Sequence, residues 1–240
     1  MRSYTRHQLK QDSFRTSTTE TISWAVENKS KLTAAVTAVL VVVAIILGGW
    51  AFINYRDQQA RVELATAIQK YSAPVRPAGT PATPDTLSFA SSEERAKVTN
   101  AEFTHIADKY RFTQSSAVAR YFEGVTSHEL GDNAGAEKTL QQVADGRYKD
   151  IAGLAKLALA AIYHDTNRDP QAIAIYKELA EHPSASVGKN TAQFLLASLY
   201  EETNQPAQAR SLYEQMLKES PTSPAAQIAT QRLQALKQQQ

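Results

Sequence analysis

The sequence predicts an all-α protein built from one N-terminal transmembrane helix plus an α-solenoid of helix pairs. Two observations carry this prediction. Leu32 to Tyr55 is a run of 24 residues without a charged side chain. From Ala117 onward the chain is self-similar, with successive units starting 36 and 37 residues apart. The expected order is a flexible basic cytoplasmic arm at 1–31, a transmembrane helix at 32–55, a helical extension at 56–71, a Pro-rich linker at 72–90 and a repeat domain at 91–240.

The arm is rich in Ser, Thr, Arg and Gln and buries too little apolar surface to order itself. Its Leu9, Phe14 and Ile22 are too sparse for the stripe of a surface helix. Helix is expected from about Thr21, with Trp24, Lys29 and Lys31 marking an interface. At ~1.5 Å per residue the apolar run gives a helix of about 36 Å, enough to cross a hydrocarbon core of ~30 Å. A signal peptide has a shorter apolar core and a small-residue cleavage site, whereas here Trp50, Phe52 and Tyr55 follow. A buried soluble helix is usually shorter and amphipathic. Near its C-terminal end, Ala44 and Gly48 form a small-xxx-small pattern that permits lateral packing against another membrane helix, the plain alternative being lipid exposure.

Residues 56–71 continue a helical pattern with Val62, Ala65, Ile68 and Ala73 near one face. Pro74, Pro77, Pro81 and Pro84 then remove backbone donors and favour a semi-extended linker. Ser91 or Ser92 caps the next helix, in which Phe103, Ile106, Ala107 and Tyr110 form one apolar stripe.

The repeat units read AVARYFEGVTSHELGDNAGAEKTLQQVA, GLAKLALAAIYHDTNRDPQAIAIYKELA and NTAQFLLASLYEETNQPAQARSLYEQML. Each holds two helices, turning at Gly131-Asp132, Asn167-Arg168 and Asn204-Gln205, where Gly and Asn enter the left-handed region at low cost. Pro170 and Pro206 start second helices. Pro183 and Pro221 end them. Small residues recur where helices must touch: Gly124, Ala160 and Ala197 in the first helices, Ala136, Ala172 and Ala209 in the second. Leu140, Tyr176 and Tyr213, then Val143, Leu179 and Met216, supply the matching bulk. Ser127 departs from the Tyr163 and Tyr200 of the later units.

Composition excludes several functions. The net charge of +2 divides into +3 on the arm and −1 elsewhere, without the clustered cations that nucleic acid requires. Absence of cysteine removes disulfides and thiolate sites. His7, His105, His128, His164 and His182 lack metal-ligand spacing, and no phosphate loop or nucleophile elbow is present. Neither an enzyme, nor a cofactor, a metal or a small-molecule substrate is expected. The acidic pairs Glu93/Glu94 and Glu201/Glu202 read as solvated helix faces.

These units resemble the tetratricopeptide repeat, a helix-turn-helix of about 34 residues. The middle one matches best, through Leu159, Ala160, Tyr163, Ala172, Tyr176, Leu179 and Pro183. The resemblance makes the solenoid one of tetratricopeptide-like helix pairs. It makes Glu93–Tyr110 the second half of a degenerate unit and Pro224–Lys237 a cap. By analogy, a partner-binding groove would be lined by Tyr121, Val125 and His128, by Leu157, Ala161 and His164, and by Phe194, Ser198 and Glu201. Tyr121, Leu157 and Phe194 fit ordinary inter-repeat core equally well, and the plainer reading of His128 and His164 is two exposed histidines.

The whole arrangement resembles the bacterial YfgM-type family of ancillary SecYEG translocon subunits. That resemblance implies a single-pass protein of the bacterial inner (plasma) membrane, N-terminus cytoplasmic and repeat domain periplasmic. Its partners would be translocon subunits or periplasmic chaperones, with membrane lipid around the helix. The positive-inside rule agrees only through the arm, because three Lys/Arg lie near each end of the apolar run. The expected function is therefore a membrane-tethered interaction scaffold. The alternatives are a structural spacer and an envelope or division-assembly adaptor with tetratricopeptide spacing.

Overall fold

The computed structural model describes residues 28–81, 87–219 and 221–238. Among them lie nine helices: α1 (Lys29–Tyr71), α2 (Ser92–Lys109), α3 (Gln114–Glu129), α4 (Asn133–Ala144), α5 (Lys149–Asp165), α6 (Asp169–Glu181), α7 (Lys189–Glu202), α8 (Pro206–Glu219) and α9 (Pro224–Gln238). No strand occurs among the described residues, only an isolated bridge between Val75 and Phe89. The chain divides into two compact units, Met1–Asn54 and Tyr55–Gln240. Residues 1–27 of the arm, with Thr21 and Trp24, lie outside the described residues, as does Pro84, while Lys29 and Lys31 fall in the first turn of α1.

In the first unit the described chain is helix whose Leu40, Ile45, Ile46 and Trp50 all stay more than half exposed. By length and composition it is a candidate membrane span, and nothing in its most apolar window is buried. Bare apolar surface of this extent is stable in lipid and costly in water. Ala44 and Gly48 are exposed, and a Cβ on Gly48 would meet nothing within 4 Å.

The second unit is a series of antiparallel pairs. The last turns of α1 pair with α2, then α3 with α4, α5 with α6 and α7 with α8, while α9 covers the end. The buried positions of α1 are Asp57, Ala60, Leu64 and Ala67. The sequence pointed to Val62, Ala65 and Ile68, yet Val62 is 71 % exposed and Ala65 is exposed, so the buried face is displaced from the most apolar one. The small Ala60 and Ala67 let neighbouring helices approach closely. Asp57 is tolerated because its oxygens are paired: Oδ1 accepts from Ser115 N–H at 2.9 Å and Oδ2 from Arg61 at 3.0 Å. The apolar stripe of α2 is fully used, with Phe103, Ile106, Ala107 and Tyr110 all buried. Phe103 stacks on Phe122 at 5.0 Å, and Tyr71 meets both rings edge-on.

The Pro-rich stretch is pinned at its ends. Arg76 N–H donates to Phe89 O at 2.8 Å, Phe89 N–H to Pro74 O at 3.1 Å, and Ala73 and Phe89 are buried. Its described ends therefore meet, where the sequence suggested a semi-extended run.

The turns follow the sequence chemistry. Gly131, Asn167 and Asn204 take φ of 83°, 59° and 58°. Caps at Ser91, Thr113 and Asp132 accept N–H bonds from Glu94, Ser116 and Gly135. Ala136, Ala160, Ala172, Ala197 and Ala209 are wholly buried. Gly124 is required by its neighbour, since a Cβ there would lie 2.6 Å from Leu140 Cγ. Between the middle and third units the loop buries Val187 completely and is tied to α5 by Ala185 N–H on Asp150 Oδ1 at 3.0 Å.

Candidate partner-binding surface

The first helices α3, α5 and α7 present equivalent residues one repeat apart. Tyr121 is half-buried against the core of the first and middle units, with Phe122 edge-on at 5.2 Å. Burial pushes its phenol pKa up. Leu157 and Phe194 are half-buried against the core of the middle and third units, Phe194 with Tyr213 tilted at 6.4 Å. These three side chains thus share a register while resting on two core clusters, so each combines a packing role with a solvent-facing edge. Val125 and Ser198 are half-buried and Ala161 is exposed.

The histidines join neighbouring units. His128 Nδ1 lies 2.7 Å from Asn133 Oδ1 and its Nε2 lies 3.1 Å from Asp165 Oδ2. One repeat on, His164 Nδ1 lies 2.7 Å from Asp169 Oδ1 and Nε2 lies 3.0 Å from Glu202 Oε2. Two exposed, idle histidines are therefore not what the fold contains. Each bridges its own second helix to the first helix of the next unit. The hydrogen bond to Asp169 leads the effects that raise the His164 pKa, helped by the charges of Asp169, Glu202 and Asp165 and opposed by partial burial. In the third unit the matching residue is Glu201, which accepts from Tyr213 O–H at 2.6 Å and faces Arg232 at 3.8 Å. Burial and that hydrogen bond push the Tyr213 phenol well above its ordinary value.

Cavities of about 770, 480, 420 and 510 Å³ open elsewhere, and none is lined by Tyr121, His128, Leu157, His164, Phe194 or Glu201. The largest lies among α6, α7 and α8 and includes Gln193, 2 % exposed, whose Oε1 has no hydrogen-bond partner among the described residues. Sequence reasoning passed over Gln193. Its repeat equivalents are Arg120 and Lys156, which pair with Glu123 at 3.0 Å and Glu178 at 2.5 Å. A recurring polar residue within an otherwise apolar helix was the available signal. Among the described residues no group of three His, Asp or Glu is arranged to hold a metal ion.

Comparison with known families gives two matches. A family model described as tetratricopeptide repeat-like domain matches residues 28–178. A second, described as tetratricopeptide repeat, matches residues 190–233. No match to a curated protein or to a solved structure was found. Domains of this kind are typically non-catalytic and generally bind protein partners.

Proposed function

Because the chain belongs to the tetratricopeptide repeat-like domain family, we propose that it is a membrane-tethered protein–protein interaction scaffold serving a translocon or periplasmic chaperone assembly. The observation that carries this reading is the register of Tyr121, Leu157 and Phe194, three half-exposed apolar side chains one repeat apart on successive first helices. A periodic apolar series on a stiff helical array suits an extended or helical peptide, because the array orders the site before binding and lowers the entropic cost. Supporting the tether is the candidate span at the N-terminal side. The translocon and chaperone assignment follows from the resemblance of the arrangement to ancillary translocon subunits.

The test places a photoreactive amino acid at Tyr121, Leu157 and Phe194 in intact bacteria. The expected adducts are with membrane translocon subunits or periplasmic chaperones. Adducts confined to lipid, or to this chain itself, would refute the scaffold reading. Topology is tested on the cysteine-free background by Ser3→Cys and Ala90→Cys with a membrane-impermeant thiol reagent. Ala90 is the better outer position, because Ser91 Oγ caps α2 at 3.0 Å. Labelling of Ala90→Cys with protection of Ser3→Cys is expected, and the reverse would overturn the periplasmic placement.

A further inference from the structure

We propose that the cavity beside Phe112 is a second docking site, one that takes an acidic segment of a partner protein presenting a carboxylate next to an apolar side chain. This rests on the reading of the repeat domain as a protein-binding module, and it places recognition away from the first-helix series.

The cavity, about 480 Å³, lies between the α2–α3 turn, the face of α3 and the loop after α4. Its walls include the apolar Ala107, Ala117, Val143 and Ile151, and no Asp or Glu is among the lining residues. At its mouth the Phe112 side chain is 74 % exposed on a backbone at φ 70°. For a bulky residue that conformation is costly, and glycine or asparagine would serve the turn better. Two donors from the next loop hold it there: Arg147 Nη2 and Tyr148 O–H, the latter at 3.3 Å, both donate to Phe112 O. The fold thus supports a strained turn whose visible product is an aromatic ring held in water beside a cavity.

The charge at the mouth is also unequally used. Arg120 is neutralised by Asp108 at 2.9 Å and Glu123 at 3.0 Å, and Arg111 lies 3.7 Å from Asp108. Arg147 has no carboxylate within 4.0 Å among the described residues, and its Nε and Nη1 donate no hydrogen bond there. Its guanidinium is nonetheless fixed, centred 4.8 Å over the Tyr148 ring and donating to the Tyr148 hydroxyl at 2.7 Å. A planar cation already oriented by stacking loses little freedom on accepting a carboxylate, and its free Nε–H and Nη1 each leave a charge-assisted donor for a carboxylate oxygen. The apolar walls and Phe112 then suit the partner's neighbouring side chain. A nucleic-acid backbone is a poorer fit, because it needs several free cations in a row.

The full chain in non-ionic detergent micelles is titrated against a fluorescein-labelled peptide, Gly-Phe-Glu-Leu-Glu-Gly-amide, by fluorescence polarisation. Saturable binding that weakens with added salt is expected. The glutamine analogue of the peptide, and Arg147→Gln, should each bind about tenfold more weakly, as for loss of one charge-assisted hydrogen bond. Phe112→Gly should also lose binding while melting no lower than the parent, because glycine takes the turn without strain; this separates recognition from folding. Phe194→Ala, in the first-helix series but on the other core cluster, should leave the peptide affinity unchanged, so failure of the first-helix surface and failure of this site are distinguishable. Equal binding by Arg147→Gln, equal binding of the glutamine peptide, or preferential occupation of the site by sn-glycerol 1-phosphate, the headgroup of an anionic lipid, would each overturn the proposal.

Discussion

Replacing Asp57 with alanine tests the join between α1 and α3 at one buried carboxylate. Asp57 Oδ1 accepts from the Ser115 N–H at 2.9 Å, in the first turn of α3, and Ser115 is only 4 % exposed. Removing the acceptor leaves that N–H without water, and a hydrogen bond to a charged group is worth ~1.5–3 kcal/mol. The Arg61 ion pair, one turn away with Arg61 side chain 66 % exposed, adds only ~0.3–0.5 kcal/mol. The sum is about 2–3.5 kcal/mol, or roughly 4–14 °C in Tm for a domain of this size. Asp57→Asn keeps an acceptor and should lose less than half as much. Pulse proteolysis in urea on the detergent-solubilised chain measures both. The pH dependence has a definite sign. Burial pushes the Asp57 carboxyl up, but the Ser115 donors and Arg61 outweigh it and hold the pKa below the ordinary 3.8. The advantage over Asp57→Asn should therefore be constant above about pH 4 and shrink as pH falls through the lowered value. Equal stability of the alanine and asparagine variants, or a loss under 1 kcal/mol for alanine, would show that this contact does not hold α1 in place.

Ala172→Leu should cost ~1–3 kcal/mol by overfilling a wholly buried contact, whereas the exposed Ala174→Leu should change stability little, both read from thermal melts. His164 has a raised pKa, so its stabilising contribution is complete below the unfolded value of about 6.5 and is lost as pH rises through the folded one. Wild type should accordingly exceed His164→Gln by more at pH 6 than at pH 9 in urea midpoints. Photocrosslinkers at Ala44 and Gly48 should give protein adducts within the membrane if small residues there admit a second helix, and lipid adducts alone would count against that packing.

How much of this could be read from residues alone depended on whether position or chemistry carried the signal. The repeat turns were legible because Gly131, Asn167 and Asn204, which enter the left-handed region at low cost, recur at the repeat interval, whereas nothing in the sequence marked the bulky Phe112 for φ 70°. The helix contacts were legible because Gly124 and the buried alanines recur at the repeat interval. The α1 face was not, because Ala60 and Ala67 are weakly apolar and Asp57 is charged, while the hydrophobic Val62 points away. Val187 was hidden in a Ser-rich loop that reads as solvent-facing. The roles of His128 and His164 needed partners 37 and 38 residues away, Asp165 and Glu202, and no local pattern announces such a pairing. For the candidate surface, the equivalence of Tyr121, Leu157 and Phe194 was visible as spacing, but their division between two core clusters was not.

The histidine bridges also decide where this array can lengthen. Asp165 and Glu202 occupy equivalent positions one repeat apart, so each unit receives on its first helix the ring offered by the unit before it. A duplicated middle unit spliced in after itself would meet an acid ahead of it and a histidine behind, and every seam would close. The third unit offers Glu201 instead, directed at Arg232 of α9. An extra copy placed after it would face carboxylate with carboxylate. The third unit thus lacks the histidine that its two predecessors offer, and its carboxylate is matched to the cation of α9 instead.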